Sequence, residues 1–371
     1  MTKLVRTDEE TLLADMARSF LEREAPLSKL RQMRDQGRTH DAAAWKAMAE
    51  LGWAGVLVPE SAGGSDMGFA AANVIAEEMG RTLAVAPFLS TAVIAATTLR
   101  QVGDARASKA LAQIAAGETT YALAIDESVK FAPDSTRLEA RAVGNGFCLS
   151  GSKQFVVDGG LAERLLVLAR TQAGLTLFDI PADRAGVHRD MAHMIDSRDV
   201  ARIRFEDVEA TGADVLGAVD DAMSVLQPAL QAGQAALAAE MTGLAAGAFG
   251  MTLSYLKERK QFGVEIGRFQ ALQHRAAHLW CEIEVTSSAI LNAGRMLDSD
   301  PASAALAVSL AKARATQTAT LAVQEGVQLH GGIGMTDAFD MGFFMKRARV
   351  GAEWLGDYSY HAEKVAAQRG F

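Results

Sequence analysis

The chain carries two stretches, Arg259-Lys-Gln-Phe-Gly263 and Gln328-Leu-His-Gly-Gly-Ile-Gly334, at which long helical patterns break. The first places a cation, an aromatic ring and a glycine at a helix end, and the second places a glutamine ahead of three glycines. Glycines let the backbone approach a ligand closely, and a guanidinium forms charge-assisted hydrogen bonds that suit a diphosphate. A structural alternative is an electrostatic cap at Arg259 and a simple chain reversal at the glycines. The two stretches together favour a ligand site.

Three longer segments surround these stretches: Tyr255-Leu-Lys-Glu-Arg-Lys-Gln-Phe-Gly263, Ile266-Gly-Arg-Phe-Gln270 with Gln273-His274, and Val327-Gln-Leu-His-Gly-Gly-Ile-Gly-Met-Thr336. In these residues the chain resembles the acyl-CoA dehydrogenases. The resemblance covers essentially the whole chain, and its most specific motifs lie in this last part. It implies FAD-dependent α,β-desaturation of an acyl-CoA thioester, with an electron-transfer flavoprotein as the electron acceptor.

Length, composition and charge exclude several classes of protein. With 371 residues, 49% of them hydrophobic, the chain is long enough for two or three domains with a substantial core. Acids and bases are interspersed at a net charge of −8, which does not indicate a nucleic-acid-binding surface. Cys148 and Cys281 have no CxxC spacing, so neither a disulfide framework nor a metal site is expected. Without an apolar leader or a membrane span, we expect a soluble cytoplasmic protein.

Hydrophobic periodicity divides the chain into three regions. Residues 1–118 follow helical patterns. Residues 119–216 contain β-rich runs, with a turn signal at Gly144-Asn-Gly146. Residues 217–371 contain four long helical patterns with short connections, the last of them at about 339–369. The predicted fold class is α+β multidomain: an N-terminal helical domain, a middle β domain and a C-terminal four-helix bundle, which is also the order that the resemblance implies.

The resemblance further implies that FAD is bound with its diphosphate and adenine across a subunit boundary. Each predicted role is physically reasonable, since an arginine pairs with phosphate, an aromatic ring packs on the cofactor and a glycine turn admits it. The predicted cofactor-binding residues are Arg259, Phe262, Gln270, Gln328, Gly331, Gly332 and Phe155.

The middle domain departs from the family pattern at two places. Members usually carry a Thr-Glu-Pro-Gly-Ala-Gly-Ser-Asp loop over the flavin, whereas this chain has residues 126–136 without any glycine. A Trp-Ile/Val-Thr/Ser-Asn-Gly segment that stacks on the ring and donates to flavin N5 is here Lys153-Gln-Phe-Val-Val-Asp-Gly159. Phe155 is able to pack on a ring, but Val157 has no hydroxyl to donate, which should alter the flavin's electronics.

Both positions at which the family places its catalytic base lack a carboxylate in this chain. By resemblance the base lies in a segment that matches Trp354-Leu-Gly-Asp357, where Leu355 takes its place. In some relatives the base lies on the first bundle helix, where the matching residue is Gly233. The remaining candidates are Glu240 and Asp357, for which a buried helix-interface acid and a capping acid are the structural alternatives.

This combination resembles the small subunit of bacterial heterotetrameric acyl-CoA dehydrogenases of steroid and cyclic-acid degradation, in which two chains share each flavin and one supplies the base. We therefore expect an acyl-CoA dehydrogenase subunit that shares its flavin site with a related chain in a tetramer. The alternatives are a self-sufficient homo-oligomer with a non-standard base, a silent acyl-CoA-binding or scaffold subunit, and a flavin monooxygenase of the same fold.

Overall fold

The computed structural model describes residues 4–371, in which helices flank a central β-sheet along the chain. The helices are α1 (Asp8–Glu24), α2 (Leu27–Asp35), α3 (Ala42–Glu50), α4 (Gly68–Thr82), a π-helix (Phe88–Ala95), α5 (Ala96–Val102), α6 (Ala105–Ala115), α7 (Ala222–Glu258), α8 (Gln270–Ser299), α9 (Ala305–His330), α10 (Met341–Glu353) and α11 (Tyr358–Gln368). The strands are β1 (Tyr121–Ala124), β2 (Glu139–Val143), β3 (Gly146–Val157), β4 (Arg164–Arg170), β5 (Leu175–Pro181), β6 (Val187–His193), β7 (Asp199–Thr211), β8 (Val215–Leu216), β9 (Lys260–Gln261) and β10 (Val264–Glu265). The predicted fold class is confirmed.

The chain separates into two compact units that do not follow chain order. The helical unit comprises residues up to Gln32, Phe69–Ala84 and Gln234–Phe371, and the sheet unit comprises Met33–Gly68 and Val85–Gly233. This division into units does not test the three predicted domain ranges, 1–118, 119–216 and 217–371, which remain a prediction.

The sheet unit is built on an eight-stranded mixed sheet. Its order is β6-β7-β3-β2-β4-β5-β8, with β1 parallel to β4 and most other pairs antiparallel. Fully buried side chains such as Leu149, Leu165, Phe178 and Ile203 form its core, as the alternating β-rich runs predict. The predicted turn joins β2 to β3 at Gly144-Asn145.

The helical unit depends on one close helix crossing. Gly80 on α4 and Gly243 on α7 face each other's helix backbone, because a Cβ at Gly80 would collide with the carbonyl oxygen of Glu240 and a Cβ at Gly243 with that of Glu77. Further along, Ala245 on α7 packs with Leu279 of α8 and with α9. Small residues therefore set the helix spacing in this unit.

One sequence expectation about elements was wrong, and two elements were missed. The pattern at about 339–369 is two helices, α10 and α11, because Leu355 and Gly356 take positive φ values of 58° and 103° and Asp357 caps the next helix. Strand β6 and helix α2 were also missed, since neither shows a clear apolar period.

One helix, α7, is long and apolar enough to span a membrane by length and composition alone. This differs from the expectation that no stretch approaches that length. Because 67% of its most apolar window is buried inside the protein, α7 is described equally well as a core helix.

The helix crossing yields a matched pair of glycine variants on α7. We expect Gly243→Ala to lower the free energy of unfolding by about 1–3 kcal/mol or more, because the new methyl group must displace the α4 backbone. Gly250→Ala should raise it by about 0.5–1 kcal/mol, since Gly250 is exposed, mid-helix and has open space around its Cβ. Chemical denaturation measures both, and equal effects would contradict the close crossing.

Candidate functional site

A short hairpin follows α7 in the helical unit. Strands β9 and β10 pair antiparallel and are joined by Phe262-Gly263, whose φ values are 54° and 81°. Two consecutive positive φ values are typical of the type I′ hairpin turn, for which glycine but not phenylalanine is preferred. The predicted helix break at Arg259 is thus a hairpin that projects one aromatic residue at its tip.

Phe262 is held in solvent at this tip. Its side chain is 92% exposed and touches the ring of Phe269 edge-on, with the centroids 6.1 Å apart. A bulky residue with positive φ is unusual, and such residues cluster at sites of binding. The ring is therefore available to a ligand or a partner chain.

A buried cluster brings the hairpin and three helix ends together. Leu256 at the end of α7 packs with Ala276 on α8 and Leu329 on α9, and Ile266 and Leu272 lie against them. One end of the helical unit therefore carries six predicted cofactor residues: Arg259, Phe262, Gln270, Gln328, Gly331 and Gly332.

His330, the residue before the glycine turn, packs between two aromatic rings. Its ring lies between Tyr255 and Phe339, with both centroid distances 4.5 Å, and its Nδ1 is 2.6 Å from the carbonyl oxygen of Gly326. Burial lowers its pKa, against the effect of that carbonyl, so the ring is neutral at physiological pH. The contacts of this histidine are those of a packing residue.

Arg259 is a cation at this end that forms no ion pair within residues 4–371, as is Lys257 on the preceding helical turn. The Arg259 side chain is exposed, whereas Arg268 lies 2.7 Å and Lys260 lies 3.6 Å from carboxylate oxygens of Glu265. An unpaired, exposed guanidinium at a helix end suits an anionic ligand group.

The glycine turn has open space where side chains would be. A Cβ at Gly331 or Gly332 would meet no atom within 4 Å, so packing inside the chain does not require glycine at Gly332. Gly331 also has a φ of 65°. The missing side chains leave room for a group from outside the chain.

The sheet unit carries the remaining predicted residue, Phe155, at a β-bulge. The pairing of β3 with β7 shifts between Lys153 and Val156, and Phe155 takes a φ of 52° with 51% of its side chain exposed. Val157 is buried at 5% exposure and offers no hydrogen-bond donor. The ring is thus presented outward without the donor that the family pattern has beside it.

An ion pair between Glu127 and Lys153 of β3 fixes the segment of residues 126–136. Lys153 is fully buried, and its ammonium lies 2.8 Å from Glu127 Oε1, 3.2 Å from the carbonyl oxygen of Ile125 and 3.4 Å from Thr136 Oγ1. Glu127 also accepts hydrogen bonds from the backbone of Arg137 and Leu138. These contacts hold the segment in place without glycine.

The turn at Leu355, the usual base position of the family pattern, is held by buried side chains of the helical unit. Leu355 is 1% exposed, and its carbonyl oxygen accepts hydrogen bonds from Gln234 Nε2 and His361 Nε2, each at 3.1 Å. Gln234 directly follows Gly233, the alternative base position. Burial lowers the pKa of His361 to about 3, so its ring is neutral. No side chain at these positions takes a proton from a substrate.

Lys312 fixes the same turn from α9. Its ammonium is completely buried and donates to the carbonyl oxygens of Gly351, at 2.9 Å, and Gly356, at 3.1 Å. Burial lowers the pKa of Lys312 to about 7, against the attraction of Asp357 and Glu353. Sequence reasoning missed this lysine, Gln234 and His361, and a lone lysine inside the small, apolar pattern of α9 was the only signal.

Glu240, the first remaining base candidate, lies in a buried ion pair. Arg347 Nη1 donates to Glu240 Oε1 at 3.0 Å, with both side chains nearly inaccessible, and Arg347 also reaches the carbonyl oxygens of Leu83 and Ala84. This geometry supports the helix-interface alternative.

Asp357, the second candidate, is the N-cap of α11. Its side chain accepts a hydrogen bond of 2.9 Å from the backbone N–H of Tyr360. This geometry supports the capping alternative.

Sequence models of one protein family match both ends of the chain. "Acyl-CoA dehydrogenase, N-terminal domain" matches residues 7–118, and "Acyl-CoA dehydrogenase, C-terminal domain" matches residues 221–369. Among curated proteins, the chain is similar to acyl-CoA dehydrogenase IpdE2 of Mycobacterium tuberculosis, with 30% identity over 355 residues that cover 94% of this chain and 93% of that protein.

Two solved structures have the same fold along nearly the whole chain. A variant of the Tcur3481-Tcur3483 steroid ACAD has a TM-score of 0.87 and 29% identity, and 97% of each chain is covered. The ChsE4-ChsE5 complex from Mycobacterium tuberculosis has a TM-score of 0.89 at 21% identity, with 99% of each chain covered, a likeness that concerns the fold.

Removing the charge of Glu240 tests whether this acid is structural or catalytic. We expect Glu240→Gln to lower the free energy of unfolding by about 3–5 kcal/mol, because it leaves the Arg347 charge buried without its partner. Glu258→Gln, at the exposed end of the same helix, should change it by less than about 0.5 kcal/mol. Denaturation curves measure both. A stable Glu240→Gln protein that binds flavin but has lost turnover would instead make Glu240 the base.

The burial of Lys312 predicts a dependence of stability on pH. The pKa of Lys312 is about 7 in the folded state, and an unperturbed lysine has a pKa of 10.5. Between these pH values the unfolded chain binds more protons than the folded chain, so stability increases with pH. The free energy of unfolding, relative to Lys312→Met, should therefore rise from pH 7 to pH 9 with a slope of up to about 1.4 kcal/mol per pH unit. Lys257→Met, at an exposed position, serves as the control. Parallel curves for wild type and Lys312→Met would contradict the shift.

Proposed function

The chain belongs to the acyl-CoA dehydrogenase family of oxidoreductases, and we propose that it is a subunit that shares its flavin site with a related partner chain. The pair would catalyse FAD-dependent α,β-desaturation of an acyl-CoA thioester, with the partner supplying the carboxylate. The observation that carries this proposal is the base position at Leu355, where the side chain is aliphatic, in a chain that also has an exposed end suited to a ligand.

The desaturation needs a carboxylate that removes the α-proton of the thioester. Such a base must reach the α-carbon and be partly desolvated, so that its pKa suits proton transfer. At the turn of this chain the matching side chain is the aliphatic Leu355, and the nearby amide of Gln234 already donates to a backbone carbonyl. Glu240 and Asp357 are engaged in an ion pair and a helix cap. The missing proton acceptor is therefore assigned to a partner.

The exposed end of the helical unit fits the polar part of FAD. The unpaired guanidinium of Arg259 would hold the diphosphate, the ring of Phe262 would pack on the cofactor, and the open space at Gly331 and Gly332 would admit it. Gln270 and Gln328 are exposed at the same end and offer amides to polar edges of the ligand. When bound, FAD supplies the two-electron acceptor for the substrate hydride.

In the sheet unit, Phe155 would contact the flavin ring. Its exposed aromatic face suits stacking, whereas the buried Val157 donates nothing to a ring nitrogen. Because this donor is missing, we infer that the flavin depends on contacts from the partner for its binding strength and electronics.

The likeness to a steroid ACAD named for a pair, Tcur3481-Tcur3483, supports a paired assembly at 29% identity. We propose a heterotetramer with a related chain in the cytoplasm, a cyclic or steroid-derived acyl-CoA as the substrate class, and an electron-transfer flavoprotein as the electron acceptor.

The test is the amount of flavin bound per chain. The protein is purified alone and co-expressed with its nearest genomic neighbour of the same family, and flavin is quantified from the visible spectrum. We expect flavin only in the co-purified complex, near one per pair of chains, with acyl-CoA oxidation by the complex alone. One flavin per chain and turnover by the protein alone would contradict this proposal and would indicate a self-sufficient enzyme. No flavin with any partner would indicate a silent scaffold.

Variants at the exposed end test its contribution within the complex. Arg259→Ala should weaken FAD binding about 10- to 100-fold, because hydrogen bonds to charged groups contribute about 1.5–3 kcal/mol. Phe262→Ala should also weaken binding, through the lost ring contact. Lys257→Ala, an exposed cation just before the helix end, is the control and should leave the affinity unchanged. Equal affinities for all three variants would contradict a role of this end in flavin binding.

A further inference from the structure

One arginine of helix α2 holds the segment that follows the glycine turn. Arg31 lies in the part of α2 that belongs to the helical unit. Its Nη2 lies 2.5 Å and its Nε lies 3.2 Å from Asp340 Oδ1, and its Nη1 donates to the carbonyl oxygen of Asp337 at 2.7 Å. Its Cζ also lies 4.9 Å from the ring centroid of Phe343. One planar cation therefore fixes both ends of residues 337–340.

Neither helix capping nor global stability explains the ion pair of Arg31 with Asp340. Asp340 occupies the N-cap position of α10, but its side chain makes no capping hydrogen bond. Both partners are partly exposed, with 27% of the Arg31 side chain and 32% of the Asp340 side chain accessible. Ion pairs at such positions contribute little to the stability of the whole fold. The main consequence of the contact is local, namely the position of residues 337–340.

These residues are connected to the glycine turn on both of its sides. Phe339 lies between the two aspartates, and its ring is 4.5 Å from that of His330, the residue before Gly331. On the other side of the turn, the backbone N–H and the hydroxyl of Thr336 donate to the carbonyl oxygen of Ile333, at 3.0 Å and 2.8 Å. A displacement of residues 337–340 would therefore be transmitted to the turn.

The glycines of the turn do not fix their own geometry. A Cβ at Gly331 or Gly332 would meet no atom within 4 Å, and glycine has the widest choice of backbone conformations. The shape of the turn thus depends on the residues that flank it. A turn that is already held in its binding shape loses less entropy when a ligand arrives.

We propose that Arg31 is a positioning residue for FAD, which keeps the glycine turn in the conformation that admits the cofactor. Arg31 acts through Asp340 and Phe339 and does not itself touch the ligand. The inference rests on the proposed function, because FAD is the ligand assigned to this turn. Sequence reasoning missed Arg31, since its partners lie 306 and 309 positions further along the chain.

The experiment measures FAD affinity of the deflavinated co-purified complex by fluorescence titration. Arg31→Ala should weaken FAD binding about 3- to 30-fold, because the turn is no longer held in its binding shape. Asp340→Asn removes the charge that Arg31 meets, keeps the side-chain volume and should weaken binding in the same direction. Arg23→Ala is the matched control and should leave the affinity unchanged, since Arg23 is an exposed arginine that pairs with the adjacent Glu24.

A double variant separates this positioning role from a general loss of stability. If Arg31 and Asp340 act as one unit, the double variant Arg31→Ala/Asp340→Asn should bind FAD no more weakly than the weaker of the two single variants. The melting temperature of each deflavinated complex should stay within about 4 °C of wild type, because the ion pair is partly exposed.

Wild-type FAD affinity in a folded Arg31→Ala complex would overturn this inference and leave the proposed function standing. Fully additive losses in the double variant would also overturn it, since the two residues would then act separately. If Arg31→Ala does not assemble with the partner chain, the affinity of Asp340→Asn decides by the same criterion. A wild-type complex that binds no FAD would overturn the proposed function as well.

Discussion

The helical unit depends on one contact between backbones, where Gly80 of α4 and Gly243 of α7 meet without side chains between them. Glu240, whose carbonyl oxygen faces Gly80 at this crossing, also forms a buried ion pair with Arg347, which links α7 to α10. Arg347 also reaches two carbonyl groups at the end of α4. Because a buried charge needs its partner, the pair makes the arrangement specific to this packing.

The end of α10 leads from this crossing to the turn at which the family pattern has its base. Three backbone carbonyl groups of this turn accept hydrogen bonds from Gln234, Lys312 and His361, so that three buried polar side chains hold Leu355 at a positive φ. Strained residues persist only where their surroundings determine them. The chain thus fixes an aliphatic side chain at the position where the family pattern has its base, which is consistent with a subunit whose partner supplies that group.

The two units present their proposed contacts in the same physical way. Phe262 and Phe155 both have positive φ values, and both rings are at least half exposed. In each unit a strand pairing therefore presents one aromatic ring outward. Such prearranged surfaces reduce the entropy lost when a ligand or a partner binds.

Local patterns in the sequence were sufficient for the fold class, the end of a long helix near Arg259 and the absence of a carboxylate at Leu355, because periodicity and residue identity depend on near neighbours. The positions of the six cofactor residues at one end of the helical unit, the pairing of Glu240 with Arg347 and the contact of Arg31 with Asp340 required the tertiary structure. Each of these depends on residues that are far apart in the chain, and burial, which determines whether a charge is paired or a pKa shifted, arises only when those residues pack together.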